Sequence, residues 1–134
     1  MSNLIDTDLI IDGLNNRPRV LAELEKRAET GVAVSIISLG ELYEGAYRDP
    51  DPEPRLAGMR QFLAGYQVLG LSEDAMVVFA RERERLRRQG QLIPDLDLLI
   101  AATAVASGLT LVTRNTRHFA RITGLQLASI DSST

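Results

Sequence analysis

Short apolar runs alternate with longer amphipathic stretches along this chain. The clearest run is Val32-Ala33-Val34-Ser35-Ile36-Ile37, β-branched and almost free of polar residues, which predicts a strand buried on both faces. Leu4-Ile5, Tyr66 to Leu69 and Leu109 to Val112 predict three more strands, and Gly124 to Leu127 an edge strand. Between them lie helical patterns. Asp8 can cap a helix from Leu9 to Leu14, and Pro18 suits the first position of the next, whose Val20, Leu21, Leu24 and Ala28 share one face. Ser38 to Tyr47 and Leu56 to Ala64 predict two further helices, separated by the proline-rich charged loop Arg48 to Pro54. Ser72 can cap a long helix with Glu73 and Asp74 in its first turn and Arg85, Arg87 and Arg88 near its end, the charge order that suits the helix dipole. Leu98 to Ala104 is a small, apolar run with the alanine content of a buried helix, and Ser107-Gly108 ends it. Thr116 to Arg121 predicts one helical turn. This alternation implies an α/β fold with a parallel sheet covered on both faces. Residues 1–128 are expected to form a single domain, with Ser129 to Thr134 a frayed tail.

The totals fit one ordinary globular domain of 134 residues, 45% hydrophobic and 25% charged. With no cysteine, disulfides and thiolate chemistry are excluded. Without a signal-peptide pattern or an apolar run near the ~20 residues of a membrane span, a cytoplasmic protein is expected. The net charge of −3 weighs against non-specific nucleic-acid binding, although such an average can conceal a local basic surface. Of 15 lysines and arginines only Lys26 is a lysine, and His118 is the single histidine. That removes any mechanism needing a lysine late in the chain or two histidines on a metal.

The candidate chemistry is acidic. In a parallel sheet the strand C-termini share one edge, and α/β folds place their sites there. Asp6 follows the first strand, Glu41 lies one turn into the helix after the second, and Asp97 opens the helix before the fourth. Thr113 and Asn115 follow that fourth strand. Gathering carboxylates costs mutual repulsion, which a divalent cation relieves. An oxygen-only donor set favours Mg²⁺ or Mn²⁺ over zinc. A cation so held can orient and deprotonate water and stabilise charge on a phosphodiester.

Each residue also has a plainer role open to it. Asp6 could be a turn acid beside Asp8. Ser38-x-x-Glu41 matches a capping box. Asp95, behind Pro94, is well placed as an N-cap, and Asp97 lies about 200° further round the helix at ~100° per residue, so the two cannot share a face. Asp97 is the better site candidate and Asp95 a secondary one. Asn115 could cap the following turn, and Thr113 could bond its local backbone. Arg81, Arg85 and Arg88 read as a solvated face interleaved with Glu82 and Glu84, whereas Arg114, Arg117, His118 and Arg121 adjoin the proposed site and are candidates for contacting RNA.

Leu4-Ile5-Asp6-Thr7-Asp8-Leu9-Ile10, Ile37-Ser38-Leu39-Gly40-Glu41-Leu42, Asp97-Leu98-Leu99-Ile100-Ala101-Ala102-Thr103-Ala104 and Leu111-Val112-Thr113-Arg114-Asn115 with Phe119 resemble the successive motifs of PIN-domain proteins. The small size resembles the VapC toxins of toxin–antitoxin pairs. The resemblance implies a three-layer α/β/α sandwich around a parallel sheet and a Mg²⁺- or Mn²⁺-dependent endoribonuclease. Asp6, Glu41 and Asp97 match the family's acidic residues. Asn115 stands where many members carry a fourth acid, which leaves the number of metals open. The resemblance also implies a homodimer, a small VapB-like antitoxin that blocks the site, and an RNA target that is often tRNA. An acidic toxin can still cleave RNA, because the cation and a few arginines neutralise phosphate locally.

Two other readings compete. Asp6-Thr7-Asp8 superficially fits the D-x-D start of haloacid-dehalogenase-like phosphatases, and a receiver domain would also gather acids, but both need a late lysine that this chain lacks. A catalytically inert PIN-like interaction module is the second, and the presence of all three acids weighs against it.

Overall fold

The structure is a computed structural model that describes residues 2–130. Five strands, β1 (Asn3–Ile5), β2 (Val32–Ser35), β3 (Gln67–Leu69), β4 (Thr110–Thr113) and β5 (Gln126–Ser129), form one sheet in the order β3-β2-β1-β4-β5, with every pairing parallel. Seven helices connect them: α1 (Thr7–Leu14), α2 (Pro18–Ala28), α3 (Ile36–Tyr47), α4 (Glu53–Phe62), α5 (Glu73–Arg88), α6 (Asp95–Ser107) and α7 (Thr116–Phe119). A single 3₁₀ turn, Leu63–Gly65, follows α4.

Side chains alternate across the pleat, and the two faces of the sheet carry separate cores. Ile5, Val34 and Val112 pack with Leu9, Ile10, Val20, Leu24, Leu42 and Leu56 from α1 to α4. Their chain neighbours Leu4, Ala33 and Leu111 pack with Leu86, Leu98, Ile100, Ala101 and Phe119 from α5, α6 and α7. Because both faces are covered, the central strands carry apolar residues at consecutive positions, Leu4-Ile5 in β1, Val32-Ala33-Val34 in β2 and Leu111-Val112 in β4. The three-layer α/β/α arrangement expected from the sequence is the one observed.

The connections decide where the site lies. From β1 the chain moves outward to β2 and β3, then returns through α5 and α6 to add β4 on the other side of β1. Neighbouring β1 and β4 therefore send their following segments in different directions, leaving a crevice at their C-terminal ends.

Several predicted boundaries move. The apolar run from Val32 stops being a strand at Ser35: its side chain accepts from the Ile37 amide and caps α3, so Ile36 and Ile37 are helical despite their β-branching. The box predicted at Ser38 and Glu41 is not the start of that helix. The helix after the charged loop begins at Glu53, with Pro54 in its first turn, earlier than the apolar pattern implied. β5 takes in Ser129, and Ile130 is buried against the α1–α4 side, so the expected fraying does not begin at residue 129; residues 131–134 lie outside the described ones. Gly108 does end α6 as expected, at φ 66°, where its αL conformation lets Leu109 N–H reach the Ala104 carbonyl.

Candidate metal and nuclease site

Asp6 sits in the β1/β4 crevice, one residue past β1. Its backbone N–H continues the sheet by donating to Val112 C=O at 2.9 Å, and its backbone is extended. Its side chain, not that of Asp8, caps α1: Oδ1 accepts from Thr7 N at 2.9 Å. Oδ2 accepts from Thr113 Oγ1 across the crevice at 2.7 Å. Thr113 Oγ1 in turn accepts from Asn115 N at 3.0 Å, the local backbone bond expected of it. One threonine thus aims Asp6 and turns the chain towards Asn115. Asn115 precedes α7 without a side-chain cap bond, and its amide nitrogen instead meets the His118 ring.

Glu41 reaches this centre through Thr7. Thr7 Oγ1 lies 2.7 Å from Glu41 Oε1 and 2.8 Å from the fully buried Ser38 Oγ. A carboxylate can only accept, so the threonine proton goes to Glu41 and the Ser38 hydroxyl supplies the other contact. This corrects the capping-box expectation: both residues face inward and bind α3 to α1.

Asp97 occupies the first turn of α6, with side-chain exposure of 27%, and its Oδ2 lies 3.7 Å from Nδ1 of His118. His118 Nδ1 also lies 3.2 Å from Asn115 Nδ2. Asp95 points elsewhere: it is the first residue of α6 rather than its cap, which is Pro94, and it pairs with Arg83 at 2.9 Å on the surface. The face separation expected from helix geometry holds, and the capping role does not. Asp95→Ala is accordingly expected to change stability by less than about 0.5 kcal/mol, the scale of an exposed ion pair, measured by urea unfolding; a loss above about 1 kcal/mol would restore the cap.

The acids repel one another. Burial pushes the Asp6 carboxyl up to about 6, with the nearby Asp8 and Asp97 charges raising it further, against the Thr113 and Thr7 hydrogen bonds that lower it. Asp97 is also raised, first by burial and then by Asp8, with His118 opposing. Asp8 therefore belongs to the same electrostatic centre. Its signal in the sequence was the spacing Asp6-x-Asp8 directly after a strand. Arg114 answers this charge: Nη1 donates to the buried Asp12 at 2.8 Å and Nε lies 3.8 Å from Asp8. Much of its charge is thus engaged by α1, whereas Arg117 is exposed. Arg121 donates to the Gln91 carbonyl.

Among the described residues no three histidines, cysteines or acids come close enough together to hold a metal ion, so Asp6, Glu41 and Asp97 do not form a three-carboxylate site as they stand. Magnesium does not require one, since it is commonly held by one or two carboxylates and keeps several waters. Asp6 and Asp97, each destabilised as an anion by its surroundings, are the carboxylates that fit such an ion, while Glu41 is tied to Thr7, the residue after Asp6. The donor set is oxygen-rich and contains no thiolate.

The PIN-domain family model matches residues 4–125. The chain belongs to the PIN-domain family. Its PIN domain is 33% identical over 124 residues to "Ribonuclease VapC2" of Haemophilus influenzae, covering 92% of this chain and 93% of the relative. It is 32% identical over 123 residues to the "tRNA(fMet)-specific endonuclease VapC" of Shigella flexneri, with coverage of 92% and 93%. In three dimensions this PIN domain is similar to the VapBC2 structure from Rickettsia felis bound to a promoter DNA fragment, with TM-score 0.91, 30% identity and coverage of 98% and 100%. Among the described residues of this PIN-domain protein, no helix is long and apolar enough to cross a membrane.

Proposed function

We propose that this protein is a VapC-type toxin: a divalent-metal-dependent endoribonuclease that cuts RNA phosphodiesters, with tRNA or another structured RNA as substrate. The observation that carries the reading is the buried Asp6 carboxylate at the sheet's switch point, aimed by Thr113 and near enough to the Asp8 and Asp97 charges to be raised by them. Bound there, Mg²⁺ or Mn²⁺ would activate water and offset charge on the phosphoryl group. The chain's own residues supply the rest. Thr113 fixes the Asp6 rotamer, Thr7 and Ser38 hold Glu41 towards the crevice, and Asn115 presents its amide beside His118. Arg117 is exposed on α7, just after β4, and can meet substrate phosphate.

The names of the relatives support a toxin–antitoxin setting, and by the same reading the protein works as a homodimer in the cytoplasm with a VapB-like antitoxin. The groove between α1, α3 and α4, walled by Ile11, Leu14, Leu42, Met59 and Glu41, offers that partner an apolar seat beside the site.

The test is cleavage of purified tRNA and ribosomal RNA by the isolated protein with Mg²⁺, Mn²⁺ or EDTA. Discrete fragments with either metal and none with EDTA are expected. Equal cleavage in EDTA would overturn the metal requirement; intact RNA under every condition would favour an inert module.

A further inference from the structure

His118 is the only histidine in the chain, and its ring stands beside the two polar groups that open onto the crevice from α6 and the β4–α7 turn. Nδ1 is 3.7 Å from Asp97 Oδ2, beyond hydrogen-bond reach, and 3.2 Å from the Asn115 amide nitrogen. With the amide NH₂ turned towards it, the contact fits the tautomer in which Nδ1 accepts and Nε2 carries the proton. A carboxylate oxygen and an imidazole nitrogen thus face the same space. Two donors about 2.1 Å from one ion stand roughly 3.0–3.4 Å apart, so a small closing movement suffices. The Asn115 contact, at the long end for a hydrogen bond, is the one an incoming cation displaces.

We propose that His118 Nδ1 completes the cation site beside Asp97, giving it a mixed nitrogen–oxygen donor set that selects later first-row divalent ions such as Co²⁺ over Mg²⁺. The inference rests on the metal-dependent reading above. Oxygen donors suit Mg²⁺ and gain little by adding nitrogen, whereas imidazole binding strengthens along the series from Mn²⁺ to Ni²⁺. The side chain is 37% exposed, so its removal leaves no buried hole. The alternative is that His118 is a counter-charge to Asp97. That role has the opposite sign: removing a competing cation would tighten Mg²⁺ and Co²⁺ alike.

The single histidine makes the test clean. Untagged protein is loaded with Mn²⁺ for pulsed EPR, and affinities for Co²⁺ and Mg²⁺ are measured by titration and competition, in wild type, His118→Gln and Asp97→Asn. Wild type is expected to show imidazole nitrogen coupling that His118→Gln lacks. Co²⁺ affinity should fall about tenfold in His118→Gln, the scale on which metal sites respond to loss of a supporting group, and Mg²⁺ affinity less than about twofold by the same donor preference. Bound Mn²⁺ without nitrogen coupling, or equal changes for the two ions, would overturn the inference. If Asp97→Asn still abolishes binding in that case, the metal-dependent reading stands alone; wild type that binds no cation removes both.

Discussion

Asp97→Asn should lower the rate of RNA cleavage by about 10³-fold or more, equivalent to about 4 kcal/mol of transition-state stabilisation, while leaving the fold intact. The replacement keeps the shape and removes the charge. The carboxylate is partly exposed, it faces a histidine nitrogen at 3.7 Å, and burial already disfavours its anionic form. Nothing in the packing of α6 depends on the charge, because Leu98, Ile100, Ala101 and Ala104 provide the buried contacts. Cleavage assays paired with thermal unfolding check this. Asp95→Asn is the control, since it sits one turn-face away on an exposed pair with Arg83. Unfolding of Asp97→Asn would make the residue structural, and an equal activity loss in Asp95→Asn would mean the wrong acid had been chosen.

The layer order and the strand set were readable from local pattern because period-two and period-3.6 burial are properties of contiguous residues. The errors share one cause. Ile36 and Ile37 look like strand because intrinsic preference favours it, but the Ser35 cap starts the helix two residues earlier. Ser38 and Glu41 match a capping box, yet their partner is Thr7, more than 30 residues away in sequence. Local pattern points to Asp8 rather than Asp6 as the cap of α1, because the sequence does not show where β1 ends. Arg114 reads as available to a phosphate because Asp12, which it binds at 2.8 Å, is on another element. Residue identity and order place the acids at one sheet edge. Which hydroxyl aims which carboxylate depends on contacts between elements, and those no local window contains.

The same contacts explain why the site is costly to build. Thr7 and Thr113 each give Asp6 one hydrogen bond, and these lower its pKa, but burial outweighs them and the carboxyl rises to about 6. A group designed only for stability would be neutral here. An acid retained in this position is consistent with a fold that keeps unfavourable charge ready for a cation.

Asp6→Asn should therefore stabilise the protein in EDTA at pH 8. The folded carboxyl titrates near 6 and the unfolded one near 3.8, a gap of about two units that corresponds to about 3 kcal/mol as an upper value. The folded state holds the proton more tightly, so the wild type is most stable below about pH 4 and loses stability as pH rises through 6. An asparagine does not titrate and escapes that loss. Its amide nitrogen would face Thr113 Oγ1, weakening one bond, so a net gain of about 1–2 kcal/mol at pH 8 is expected, shrinking through pH 6 and gone or reversed below pH 4. Urea unfolding across this range measures it. Adding Mg²⁺ or Mn²⁺ should then stabilise the wild type and leave the variant nearly unchanged, because only the charged site binds the ion in the folded state. A variant less stable than wild type at every pH would mean that the hydrogen bonds to Asp6 exceed its desolvation cost, and the strained-acid account of the site would fail.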